Sequence, residues 1–89
     1  MIVRNDKTYI KTATTTQVGV GPCYLEAVVV NTTTAATVGI IDGISGTTVN
    51  VGSLKASVTE GRYEYNCSMN NGIRIVTGGA GDYTVIWRS

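Results

Sequence analysis

Six carboxylates, two thiols and no histidine make up the reactive inventory of this 89-residue chain. Without histidine, a Ser/His/Asp or Cys/His arrangement has no base, which excludes nucleophilic hydrolysis in its usual form. The acids are Asp6, Glu26, Asp42, Glu60, Glu64 and Asp82. A glycosidase-type pair of acids needs a deep cleft and an apolar pocket to keep one carboxyl protonated, and so short a chain leaves little for one. Asp42 and Asp82 stand beside glycine turns, where aspartate commonly caps the backbone. Asp42-Gly43-Ile44-Ser45-Gly46 has the outline of a calcium loop but lacks the further acids of a cage. Gly78-Gly79-Ala80-Gly81-Asp82 is followed by strand-forming residues, whereas a phosphate loop needs a helix behind it. Both stretches read as turns. The expectation is a protein that is not an enzyme, with no catalytic, cofactor-binding or metal-ligating residues.

Cys23 and Cys67 lie far apart in sequence. The first residues, Met1-Ile2-Val3-Arg4-Asn5-Asp6-Lys7, turn polar too early for an apolar signal region. Two reduced, structural thiols are therefore expected in preference to a disulfide. Asn31-Thr32-Thr33 and Asn66-Cys67-Ser68 match the glycosylation pattern, as a chain rich in Asn and Thr will do by composition. Glu26 is the odd charge in the most apolar segment. It is expected either to face solvent or to pair with an arginine across a subunit boundary. The aromatic residues are Tyr9, Tyr24, Tyr63, Tyr65, Tyr83 and Trp87. Exposed, Tyr63, Tyr65 or Trp87 would make the stacking platform of a carbohydrate-binding module, but their regular alternation fits burial better.

The elements that must position these residues are strands. Val, Ile and Thr supply 34 of the 89 residues, with 11 glycines to make turns. The strongest strand runs from Cys23 to Val30, followed by a polar turn and a second strand, Thr37 to Asp42, in which Gly39 suggests a bulge or a close backbone approach. Gly43 to Gly46 turns the chain and Thr47 to Val51 returns as a hairpin partner. One short strand is expected somewhere between Gly52 and Glu60. From Arg62 to Cys67 the alternation puts Tyr63, Tyr65 and Cys67 on one face. Asn70-Asn71-Gly72 is the strongest turn signal. The strands Gly72–Thr77 and Asp82–Arg88 then form a final hairpin, with Tyr83, Val85 and Trp87 sharing a face. Seven or eight short strands at this spacing predict an all-β, compact antiparallel β-sandwich of jelly-roll-like form. Residues 1–21 read as an N-terminal arm or a first strand, with the threonine run Thr12 to Thr16 and the Gly21-Pro22 breaker at its end. Residues 22–89 read as the sandwich domain.

Charge and size bear on partners. The net charge is +1, from scattered basic residues that form no track for a phosphate backbone, so nucleic acid is not expected. The longest apolar run, Ala27 to Val30, falls far short of the roughly 20 residues of a membrane span. A domain of this size buries only about two-thirds of its unfolded surface, and 43% apolar against 15% charged residues is a composition that needs a neighbour. A homo-oligomer is expected, most simply a trimer.

Two stretches carry a resemblance. Tyr24-Leu25-Glu26-Ala27-Val28-Val29-Val30-Asn31 leads into Val38-Gly39-Ile40-Ile41-Asp42-Gly43. Asn71-Gly72-Ile73-Arg74-Ile75-Val76-Thr77-Gly78 leads into Asp82-Tyr83-Thr84-Val85-Ile86-Trp87. The cadence resembles small virion proteins of tailed bacteriophages and is similar to the capsid decoration, or cement, proteins of phage heads. The resemblance spans Tyr24 to Trp87. It implies a compact sandwich or jelly roll, made in the host cytoplasm, carried on the capsid surface as a trimer, and bridging neighbouring copies of the major capsid protein. A small tail, fibre or head–tail component is the alternative, beside the carbohydrate-binding module. The residues expected at an oligomer or capsid interface are Arg4, Lys7, Tyr9, Lys11, Tyr24, Glu26, Val28, Tyr83 and Trp87, with the arm's basic residues meeting acidic shell residues.

Overall fold

A computed structural model describes residues 6–44 and 49–88. Eight strands follow in order: β1 (Asp6–Ile10), β2 (Thr15–Val20), β3 (Cys23–Thr32), β4 (Val38–Asp42), β5 (Asn50–Leu54), β6 (Gly61–Met69), β7 (Gly72–Thr77) and β8 (Asp82–Arg88). They form two four-stranded antiparallel sheets, a front sheet ordered β1-β8-β3-β6 and a back sheet ordered β2-β7-β4-β5. The pairs β1·β8, β2·β7, β3·β6 and β4·β5 are those of one long antiparallel ribbon folded at its midpoint. Rolling that ribbon up brings β8 against β3 and β7 against β4, which is the strand order of a jelly roll.

Alternation of side chains builds the core. Leu25, Val28, Val30, Tyr83 and Val85 from the front sheet meet Val38, Ile40, Leu54, Ile73 and Ile75 from the back sheet in one buried cluster. The charge inside β3 is managed by a bulge. Leu25 pairs with Trp87 and Val28 with Val85, so two residues three apart both face inward and the extra residue carries Glu26 to the outer side. The facing strand β6 gains a residue at the same point, where Asn66 takes a left-handed φ of 48°, a conformation asparagine tolerates. Two rings of the front sheet are seated on glycines of the back sheet's edge strands. A Cβ at Gly19 would stand 3.1 Å from Trp87, and one at Gly52 3.3 Å from Tyr65.

Several expectations change. The segment Thr15 to Val20 is a strand, β2, where the sequence reads as a threonine run and a breaker. Thr77 orders the front of that run: its hydroxyl accepts from the Thr14 N–H at 3.0 Å and donates to the Thr12 carbonyl at 2.6 Å. β7 and β8 are not a hairpin, because they lie in opposite sheets, and Asn70-Asn71 likewise carries the chain from front to back. The β4–β5 pairing is a hairpin as expected, although residues 45–48 of its turn lie outside the described residues. The short strand sought between Gly52 and Glu60 is the end of β5, which stops at Leu54. Gly39 has neither a close neighbour nor a positive φ; the register shift falls one residue later, between Ile40 and Ile41. β1 completes the front sheet beside β8 of the same chain, with Ile10 3% exposed in the core.

Gly72 is the position that demands glycine. Its φ is +148°, and a Cβ there would lie 2.5 Å from the Gly19 carbonyl oxygen. Gly72→Ala is expected to lower unfolding free energy by about 2–4 kcal/mol in urea titrations. Gly39→Ala, whose Cβ would rest 3.7 Å from Val76, should change it by less than about 1 kcal/mol.

Candidate functional site

The carboxylates come first, because each one that can be traced is occupied by structure. Asp42 ends β4 at 7% exposed. Its carboxylate accepts the backbone N–H groups of Asn70 at 2.9 Å, Asn71 at 2.8 Å and Gly72 at 3.4 Å. Burial pushes its pKa up, but the three N–H donors outweigh this and hold it below the ordinary carboxylate value. This is a turn-capping role. Among the described residues no group of three or more His, Cys, Asp or Glu is placed to hold a metal ion.

Asp82 and Glu64 knot the outer face of the front sheet. Tyr9 donates its hydroxyl to Asp82 at 2.5 Å, and the Asn31 amide donates to Asp82 and to Thr84, each at 3.1 Å. The bond to Asp82, and then desolvation, raise the Tyr9 pKa. Arg62 donates to Glu64 at 2.6 Å and reaches Glu26 at 3.5 Å. That hydrogen bond holds Glu64 below its ordinary value. The arginine partner of Glu26 thus belongs to the same chain, across the β3–β6 ladder. The Arg88 guanidinium lies 4.4 Å from the centroid of the Tyr24 ring, a cation–π contact.

The residues expected at an interface divide accordingly. Lys7, Tyr9, Tyr24 and Glu26 share the outer face of the front sheet, and Lys11 is exposed just beyond β1. Val28 at 0% and Tyr83 at 1% are interior and are withdrawn from any surface, because β3 and β8 turn both toward the back sheet. Trp87 is half-buried over Gly19, its indole N–H donating to the Thr8 hydroxyl at 3.1 Å. Arg4 lies outside the described residues.

A different surface carries the exposed apolar side chains. Val20, at 76% exposed, ends β2; Ile44 follows β4; Val49 and Val51 flank the start of the edge strand β5. The backbone joins them. Val20 pairs with Gly72, the Gly43 N–H donates to the Gly72 carbonyl at 3.0 Å, and the Asp42 N–H donates to the Val49 carbonyl at 2.8 Å. The result is a row of exposed apolar side chains at the back sheet's end, with the Arg74 guanidinium donating to the Ile44 carbonyl at 3.3 Å. Sequence reasoning missed it because Val20 reads as part of a breaker, Ile44 as part of a turn and Val49 and Val51 as part of a hairpin strand, and no local pattern brings the three segments to one end of a sheet.

A groove opens where the two sheets part, between edge strands β5 and β6. It has a volume of about 490 Å³, and the half-buried rings of Tyr63 and Tyr65 line it. No protein-family model, curated protein or solved structure matches this chain.

Both thiols are free, on the inward face of the β3–β6 pair. Burial, and then the negative charge of Asp42, pushes each thiol pKa up. Cys23 and Cys67 are therefore expected to react slowly with an aromatic disulfide reagent at pH 8 until urea unfolds the chain; full labelling of the native protein within the mixing time would contradict this placement. Asp42 sets the acid limb of stability. Its folded pKa is depressed, so its contribution is complete above the unfolded value near ~3.9 and is lost as pH falls through the lower folded value. Asp42→Ala is expected to cost about 2–4 kcal/mol at neutral pH and to flatten the loss of stability below about pH 4.

Proposed function

We propose that this protein is a capsid decoration protein of a tailed bacteriophage, a homotrimer that binds the outside of the assembled head and bridges neighbouring major capsid proteins. The observation that carries the reading is the exposure of Val20, Ile44, Val49 and Val51 toward one end of the back sheet of a jelly roll. Three exposed valines and an isoleucine gathered toward one end of a sheet are the kind of surface that a partner covers. The work is mechanical. A dense β-sandwich with few charges resists local opening, and docking its apolar rim removes that surface from water while tying two shell subunits through one rigid body. The knotted outer face of the front sheet, with Lys7 and Lys11 near its β1 edge, supplies polar contacts beside the apolar ones. The resemblance of Tyr24 to Trp87 to decoration proteins supports the same reading.

The test is co-sedimentation of the purified chain with heads assembled without it, preceded by light scattering. A trimer mass at micromolar concentration and saturable binding to heads are expected, with Val20→Lys and Val51→Lys each weakening binding at least about tenfold, the equivalent of about 1.4 kcal/mol. A stable monomer that stays in the supernatant would overturn the proposal. Binding to tails but not to heads would move the protein to the tail.

A further inference from the structure

We propose that the groove between β5 and β6 is a saccharide-binding site. It lies where the last strand of the front sheet and the last strand of the back sheet diverge, closed at one end by residues 55–60. Leu54 and Val58, 5% and 8% exposed, form its floor, and Tyr63 and Tyr65 stand on the β6 side. Its volume of about 490 Å³ falls within the roughly 300–1,000 Å³ typical of sites for small organic ligands.

The two rings are held in place. The Tyr63 hydroxyl donates to the Thr59 carbonyl, which ties the ring to the β5–β6 connection. The Tyr65 ring rests on Gly52, where any larger residue would push it outward or tilt it into the groove. A site whose rings are already ordered loses little entropy when a ligand arrives.

The chemistry around the rings selects the ligand class. A pyranose has one face of C–H bonds, which stacks on an aromatic ring, and an edge of hydroxyls, each needing a donor or an acceptor. The groove offers both. The Tyr65 hydroxyl has no hydrogen-bond partner among the described residues, and Lys55 is exposed and forms no ion pair among them. Glu64 is already committed to Arg62 and Asn66. A phosphate-rich ligand would meet only one cation here, and a purely apolar one would leave the polar rim unpaired. A sugar uses both. The inference does not depend on the decoration reading, since no residue of the groove belongs to the apolar rim.

The test is an amide NMR titration of the full chain with three probes, cellotriose, maltotriose and chitotriose, each to ~10 mM, a range that captures weak contacts. At least one probe is expected to shift amides of residues 52–65 in a saturable way. Tyr65→Phe, which removes only the hydroxyl, and Lys55→Ala, which removes the exposed donor at the groove's edge, should each weaken that binding at least about tenfold while leaving the rest of the spectrum in place. Shifts with none of the three probes, or shifts centred elsewhere, would overturn the proposal. So would unchanged affinity in Tyr65→Phe. Because this readout needs no capsid, its failure is distinguishable from failure of the head-binding experiment.

Discussion

The structure depends on closing one end of the sandwich, where the chain passes between sheets at β2–β3 and β6–β7 and turns at β4–β5. Each crossing leaves backbone N–H and carbonyl groups that no ladder satisfies, and an unsatisfied buried group is expensive. Two side chains answer most of that demand. The Asp42 carboxylate accepts from three successive residues of the β6–β7 connection. The Gln17 amide lies 2.7 Å from the Gly19 carbonyl, 3.0 Å from that of Gly43 and 3.1 Å from that of Ile73. Gly72 has no side chain because the Gly19 carbonyl fills the space a Cβ would need. These three residues bring the ends of β2, β4, β6 and β7 together, and the register of both sheets follows from that meeting point.

Three of the six carboxylates are tied into the structure by hydrogen bonds. Asp42 is consumed by the crossing, Asp82 by Tyr9 and Asn31, and Glu64 by Arg62. The thiols are desolvated by burial and sit within the field of the Asp42 carboxylate, and both effects disfavour the thiolate on which their reactivity would rest. The described surface offers an apolar rim at the end of the back sheet, a polar outer face on the front sheet, and a groove where the sheets part. Each lies on rigid strands or their ends, which suits contacts that must hold a fixed geometry.

Much of the core was legible because a half-buried strand repeats every two residues. The shared faces of Tyr63, Tyr65 and Cys67, and of Tyr83, Val85 and Trp87, appear in the structure as inward faces of β6 and β8. The β2 strand was not legible, since an edge strand with an exposed side needs no apolar alternation and Gly19 within it reads as a breaker. The hairpin drawn at Gly78 to Gly81 failed for another reason. A turn signal reports that the chain reverses, and says nothing about whether the next strand joins the same sheet or the opposite one. The rim was invisible for a related cause, since no local pattern brings Val20, Ile44, Val49 and Val51 to one end of a sheet.

By itself the sequence determined an all-β chain, an inward set of side chains, and an aspartate poised to cap a turn, because these depend on local backbone preference and on period-two alternation. The tertiary structure alone decided the jelly-roll pairing, the bulge that carries Glu26 outward to Arg62 of its own chain, and the burial of Val28 and Tyr83 in place of their exposure. It also decided that two tyrosines of the inward face would border an open groove. The physical reason is the same in each case: strand partners are chosen by contacts between residues dozens of positions apart, and no local pattern encodes which edge of a sheet is left without a neighbour.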